Sequence, residues 1–329
     1  MVQLALKKIL EAIYEPRFLN CMYGFRPNRG CHDAIKELYK RLNNTKICYI
    51  VDADIKGFFD HMKHEWIIKF LYLYIKDPNI IGLVKKYLKV GVLDGGELMM
   101  NEEGSAQGNI ISPILANIYM HNVLTLWYKF IITKECKGDN FLIVYADDFV
   151  AGFQYKWEAE NYYKLLKERM EKFGLQLEES KSRLLQSGAY IARAKQKSGE
   201  STRLETFDFL GFTFYCGRSR KGMPYIMPKT SSKKFRQKIR DIKVWLYANR
   251  DQPLKKLMGM LNLKLIGHYR YYGISFNGRM ISNYKQQVRE LLFKVLNRRS
   301  DRKSYTREGF IEMLKYYPLA MPKIYVSLF

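Results

Sequence analysis

Two adjacent carboxylates, Asp147 and Asp148, interrupt an otherwise apolar run over residues 141–153. Aspartate is common in turns because its side chain bonds nearby backbone groups, so a hairpin turn alone would explain the pair. The apolar flanks argue for more. Strands of that character are buried on both faces, where two unpartnered carboxylates repel each other and lose solvation. A divalent cation relieves both problems, and magnesium prefers carboxylate oxygens and substrate phosphates, so the stretch points to phosphoryl transfer if a third carboxylate exists. Asp54 supplies it. Residues 47–51 read as an apolar strand, Asp54 lies just past its end, and Gly57 permits a bend. Asp52 is expected to point away from Asp54 by the alternation of the strand, and Asp60 to cap the helix that follows at about 63–75. His61 and His64 have no second ligand pair and are assigned surface or capping roles.

Three further stretches carry polar chemistry. Tyr23-Gly24-Phe25-Arg26-Pro27-Asn28-Arg29-Gly30 holds two arginines on a turn-rich loop, a form suited to phosphate; a solvated loop with incidental charge fits equally well. Gly104-Ser105-Ala106-Gln107-Gly108 leads into Ser112-Pro113 and a long apolar helix. Small residues, a donor-acceptor amide and a helix start suit a nucleotide, and a plain loop with a proline in the first turn would look the same. His268-Tyr269-Arg270-Tyr271-Tyr272-Gly273 mixes cations with aromatic faces. Stacking on RNA and packing between helices both suit it, and packing is expected for at least two of the three tyrosines.

The elements that must position these groups follow from periodicity. Helical spacing covers residues 2–14, 31–42, 79–89, a long segment to about 132, and 156–173; hairpins are expected at 92–100, 141–153 and 207–214. Lys181 falls in a turn before a strand, and 194–205 reads as a loop. From residue 231 the chain is helical, with breaks near 249–253, 273–278 and 299–305. The class is α+β followed by an all-helical part.

Composition narrows the partners. Lys and Arg number 56 against 32 Asp and Glu, a formal charge of +24 that does not suit an ordinary metabolic enzyme and calls for a polyanion. Residues 228–329 hold 23 basic and 6 acidic side chains, +17 of that total. The five cysteines show no paired or metal-binding spacing and read as reduced, mostly buried thiols. No run of 18 apolar residues and no signal-peptide pattern is present, so the expectation is a cytoplasmic protein without a membrane partner.

With Asp54, Gln107-Gly108 and Tyr145-Ala146-Asp147-Asp148 in that order, the chain resembles the reverse transcriptases, and more closely the group II intron-encoded maturase/reverse transcriptases. The matching pieces are residues 23–30, 54–60, 104–108 with 112–119, 145–148, and Phe209-Leu210-Gly211-Phe212. Residues 265–272, 297–299 and 322–325 are similar to the family's maturase domain. The resemblance implies a right-hand polymerase palm, an antiparallel sheet with helices on one face, with partial fingers over residues 1–227. A helical thumb/maturase domain would occupy residues 228–329. The family places a further fingers segment upstream of residue 2, which implies an N-terminally truncated chain. No zinc-ligand or His-Asn-His cluster follows, which implies the absence of an endonuclease domain.

The same resemblance implies roles residue by residue. Asp54, Asp147 and Asp148, with the backbone carbonyl of Ile55, would hold two Mg2+ ions, Mn2+ being able to substitute. Lys181 would protonate pyrophosphate. Arg26, Phe59, Gln107 and Gly108 would contact the nucleotide, with Phe59 excluding a ribose 2′-hydroxyl. Phe209, Leu210 and Gly211 would grip the primer, and Arg270, Arg298 and Arg299 would bind RNA. The implied partners are intron RNA, an RNA template with a DNA primer, and dNTPs. The implied function is an RNA-directed DNA polymerase that also assists splicing and retrohoming. The alternatives are a catalytically impaired RNA-binding splicing factor and a reverse transcriptase recruited to host defence.

Overall fold

The computed structural model describes residues 1–89, 93–94, 97–98, 103–104, 109–299 and 305–329. The chain divides into two compact units, Met1–Leu210 with Cys216–Ile226, and Gly211–Tyr215 with Met227–Phe329.

The first unit opens with α1 (Val2–Tyr14), whose Leu6, Leu10 and Tyr14 share one buried face at helical spacing. The Tyr14 hydroxyl donates to the Phe70 carbonyl at 2.9 Å, tying α1 to the helix carrying Phe70. α2 (Cys31–Asn44) starts where the Asp33 carboxylate accepts from the Gly30 amide at 2.8 Å. β1 (Tyr49–Ala53) is followed by the single turn α3 (Phe58–His61), then α4 (His64–Tyr72) and α5 (Pro78–Lys89). The short strands β2 (Leu93–Asp94) and β3 (Glu97–Leu98) pair antiparallel within the expected hairpin. α6 (Ser112–Met120) continues through two π-helical turns, His121–Thr125 and Tyr128–Ile132, into α7 (Thr133–Glu135). β4 (Asn140–Tyr145), β5 (Asp148–Phe153), α8 (Lys156–Lys172), β6 (Arg183–Gln186) and α9 (Ala189–Lys197) complete the alternation.

These strands form one antiparallel sheet in the order β4-β5-β1-β6. β1 is central and buried, as its apolar run requires. On the outer edge of β4, Met22 bridges Val144 in parallel, and Val144 exchanges backbone bonds with Cys21 and Tyr23. The helices pack over a core of side chains that includes Leu10, Phe58, Leu115, Tyr119, Phe149 and Leu166.

β7 (Phe207–Phe209), β8 (Phe212–Arg218) and β9 (Pro224–Thr230) form a separate three-stranded sheet. Leu210 and Gly211 both take positive φ, +48° and +79°, the geometry of a tight two-residue hairpin turn between β7 and β8. The second unit continues through α10 (Ser232–Ala248), α11 (Leu254–Tyr272), α12 (Gly278–Leu296) and α13 (Arg307–Tyr316). Side-chain caps start two of them: Ser231 accepts from the Lys234 amide, and Thr306 from the Gly309 amide. Buried Asn277 accepts from the Thr230 amide and donates to the Tyr272 carbonyl, each at 2.8 Å. Tyr269 and Tyr272 are buried, so the aromatic stretch is packed between helices as expected for two of its three tyrosines.

Four expectations need correction. Asp60 caps no helix: the residue before α4 is Lys63, and Asp60 lies inside α3, whose start is Gly57 at φ +52°. Residues 194–197 belong to α9 rather than a loop. β9 was not expected, because its alternation of buried and half-buried residues runs directly into the helical segment. Of the five cysteines only Cys48 is buried, the rest being partly exposed. Among the described residues, no helix is long and apolar enough to cross a membrane.

Candidate active site

The central hairpin delivers its acidic residues by register. Tyr145 pairs with Asp148, so the turn consists of Ala146 and Asp147 alone. Ala146 takes φ +57°, a region costly for a residue with a Cβ, and the strain is held from behind. Gly24 lies against this turn so closely that a Cβ there would sit 2.5 Å from the Ala146 amide nitrogen. The buried Asn117 amide donates to the Gly24 carbonyl at 2.8 Å, and the Tyr23 amide donates to the Val144 carbonyl at 2.8 Å. Thus residues of three separate motifs meet behind Asp147 and fix its backbone. Neither Gly24 nor Asn117 stands out by residue type or spacing as a part of the site.

Asp54 arrives from the neighbouring strand. Ala53 stands opposite Phe149, so one further step brings Asp54 level with Asp148. Its backbone is clamped on both sides: the Asp54 amide donates to Ser182 Oγ at 3.3 Å, and its carbonyl accepts from the Glu178 amide at 2.8 Å. Ile55 is buried and bridges Leu177. Burial raises the Asp147 carboxyl above its ordinary range, and the negative charge of Asp54 adds to the shift. The two carboxylates therefore share one electrostatic environment. Lys181 donates to Asp54 Oδ2 at 2.7 Å, and that bond with the Asp54 charge raises the lysine. Asp148 is exposed at the start of β5.

Among the described residues no group of three His, Cys, Asp or Glu side chains converges tightly enough to hold a metal ion unaided. What the chain does present is two carboxylates whose charges oppose each other, Asp54 and Asp147, hard oxygen donors of the kind that Mg2+ takes together with substrate phosphates.

Asp52 departs from its expected orientation. Residues i and i+2 of a strand share a face, so Asp52 lies on the side of Asp54, not away from it. Burial pushes its carboxyl up to about 7; Arg183 opposes the shift, and Asp148, Asp208 and Asp54 reinforce it. Arg183 stands directly opposite Asp52 on β6.

The Arg26 guanidinium is buried, ion-paired with Glu15 at 2.7 Å, and donates to the Leu19 and Met22 carbonyls. It braces the loop and presents no free edge to a nucleotide, because pairing it was cheaper than leaving a buried cation unsatisfied. Phe59 is half-buried with its ring 5.4 Å from that of Phe58. Gln107 and Gly108 lie outside the described residues. Gly104, at φ +84°, approaches so near the Asp60 carbonyl that a Cβ would lie 2.8 Å away, which seats the start of that motif beside α3.

In the second unit Arg270 is exposed on α11. Arg298 is exposed and donates to the Tyr247 hydroxyl at 3.0 Å. Arg299 is half-buried and donates to the Gln252 carbonyl at 3.0 Å, holding the chain between α10 and α11.

Comparison with known proteins bears on this geometry. The family described as "Reverse transcriptase (RNA-dependent DNA polymerase)" matches residues 1–214, and "Group II intron, maturase-specific domain" matches residues 232–311. The chain is 39% identical over 139 residues to the group II intron-encoded protein LtrA of Lactococcus lactis, covering 42% of this chain and 22% of that protein. It is 42% identical over 124 residues to a 91 kDa protein in the cob intron of Schizosaccharomyces pombe, 37% of this chain and 15% of the relative. The chain thus spans about a fifth or less of the length of these relatives. Telomerase from Candida tropicalis shares the fold with TM-score 0.50 at 13% identity, over 95% of this chain and 56% of that one. A hairpin bearing Asp147, a neighbouring strand delivering Asp54, and a family match over residues 1–214 agree: the chain belongs to the reverse transcriptase family and carries a group II intron maturase-specific domain after it.

Proposed function

We propose that this chain is an RNA-directed DNA polymerase of a group II intron that also binds the intron RNA and assists its splicing and retrohoming. Residues 1–227 act as partial fingers and palm, and residues 228–329 as thumb and RNA binder. The observation that carries the reading is the placement of Asp147 in the two-residue turn between β4 and β5, with Asp54 one step past Ala53 on the neighbouring strand.

Asp54 and Asp147 would hold Mg2+, or Mn2+ in its place, with the Ile55 carbonyl and Asp148 beside them. When bound, the ions supply charge for the primer 3′-hydroxyl and the α-phosphate of the incoming dNTP. The clamp on Asp54 from Ser182 and Glu178 keeps its carboxylate in place through the step. Lys181, which pairs with Asp54, would give a proton to departing pyrophosphate. Phe59 closes the sugar side of the site against a 2′-hydroxyl, and Gln107 and Gly108 meet the nucleotide. Phe209, Leu210 and Gly211 hold the primer end, while Arg270 and Arg298 bind RNA.

The test is primer extension on an RNA template with dNTPs and Mg2+, comparing the chain with Asp147→Asn. Extension by the parent and loss in the variant supports the reading; equal extension, or none by the parent, removes it. A second reading, an RNA-binding splicing factor without polymerase activity, is supported by the maturase-specific match over residues 232–311 and the charge of +17 over residues 228–329. Retained splicing assistance in Asp147→Asn with no extension by the parent would select it.

A further inference from the structure

β6 and β7 belong to different sheets, so no backbone ladder sets the strand before the Leu210-Gly211 turn against the sheet that carries Asp54. Side chains make that connection. Arg183, the first residue of β6, faces Asp52 across the antiparallel pair, with Nε 3.8 Å from Asp52 Oδ2. Its Nη2 donates to the Thr206 carbonyl at 2.8 Å, at the residue immediately before β7. Three residues along β6, the Gln186 amide donates to Glu205 Oε2 at 3.0 Å. A planar fork with donors on separate edges can hold a carboxylate and a carbonyl together; an ammonium at the end of a flexible stem is not pre-organised to do so.

We propose that Arg183, anchored by Asp52, is a positioning residue for the primer end: it fixes β7 at a set distance from the strand that delivers Asp54. The proposal rests on reading this site as a polymerase and residues 209–211 as its primer grip. Half of the Arg183 side chain is exposed, and a pair of that kind contributes little to global stability. Its placement is therefore accounted for by geometry more than by folding energy. A shift of the grip by an ångström displaces the 3′-hydroxyl from in-line attack, which is where such a brace acts on rate.

The experiment uses the full chain with Arg183→Ala, Arg183→Lys and Asp52→Asn. Amide hydrogen exchange over residues 205–209 is measured without substrate, and kcat and KM with a matched primer on an RNA template. In Arg183→Ala, exchange over 205–209 should rise, and kcat should fall by roughly ten- to a hundredfold. KM for dNTP should stay within about twofold, since nucleotide contacts are untouched. Arg183→Lys should reproduce most of the kcat defect despite keeping the charge, and Asp52→Asn should show a smaller one. Parental exchange in Arg183→Ala, or full recovery of kcat by Arg183→Lys, overturns the proposal. So does a kcat loss accompanied by a melting shift of more than about 5 °C, since that marks a general fold defect. A parent chain that extends no primer would fail the polymerase reading; the exchange measurement would still decide whether Arg183 holds β7.

Discussion

The two units of this molecule present charge in opposite ways. In the first, a few carboxylates on one sheet are fixed by backbone: Asp147 by a two-residue turn pressed against Gly24, Asp54 by bonds at both its amide and its carbonyl. In the second, much of the charge rides on lysines and arginines along helices; residues 228–329 carry +17, leaving +7 for the first 227. Fixed groups can select one arrangement of reacting atoms, and one lost group ends the chemistry. Dispersed cations sum into a field, and one lost group subtracts a small share of it.

The largest expected effect breaks the first half of that comparison. Asp54→Asn and Asp147→Asn should each reduce primer extension by about a thousandfold or more, the loss of several kcal/mol of charge stabilisation, with RNA affinity nearly unchanged. Extension assays beside filter binding check this; loss of both together would show that the units do not divide the work. Next in size is salt. If six to ten cations neutralise phosphates, RNA affinity should fall by roughly a thousandfold between about 50 and 200 mM salt, with Arg298→Ala lowering the slope by about one. Arg299→Ala should lower the melting temperature instead, because that side chain holds the Gln252 carbonyl.

A smaller effect sharpens the comparison through two buried histidines, one per unit. Burial depresses His121 to about 4 and His268 to about 3. The folded state thus binds fewer protons than the unfolded one below pH 6.5. The stability each contributes is fully present above that value and is lost as pH falls toward about 4 and about 3. Melting curves across that range should show the decline, and His268→Phe should flatten it, since the ring is stacked on Tyr284 at 3.6 Å with neither nitrogen hydrogen-bonded. The smallest effect is on the sugar: Phe59→Ala should raise NTP relative to dNTP incorporation, and an unchanged ratio would leave Phe59 as packing only.

Local patterns in the sequence revealed the elements and motifs, and the misreadings came where partners are distant. The hairpin around Asp147, the Gly57 bend and the bounds of α1 follow from apolar periodicity and turn chemistry within a dozen residues. The burial of Arg26 depends on Glu15 across a loop, and no spacing rule encodes that pairing. The buttress of Asn117, Gly24 and Ala146 joins three distant stretches, although a glycine beside an aromatic in a motif was a visible signal of close approach. The orientation of Asp52 was legible, because a period of two puts it with Asp54.

The central claim is that Asp54 and Asp147 share a divalent ion when substrate is present, and binding of Mn2+ measured by electron paramagnetic resonance tests it without reference to turnover. With dNTP and primer on an RNA template, the parent chain should bind Mn2+ tightly, and Asp54→Asn and Asp147→Asn should each weaken it by at least about tenfold. Equal Mn2+ affinity in the parent and both variants would contradict the account.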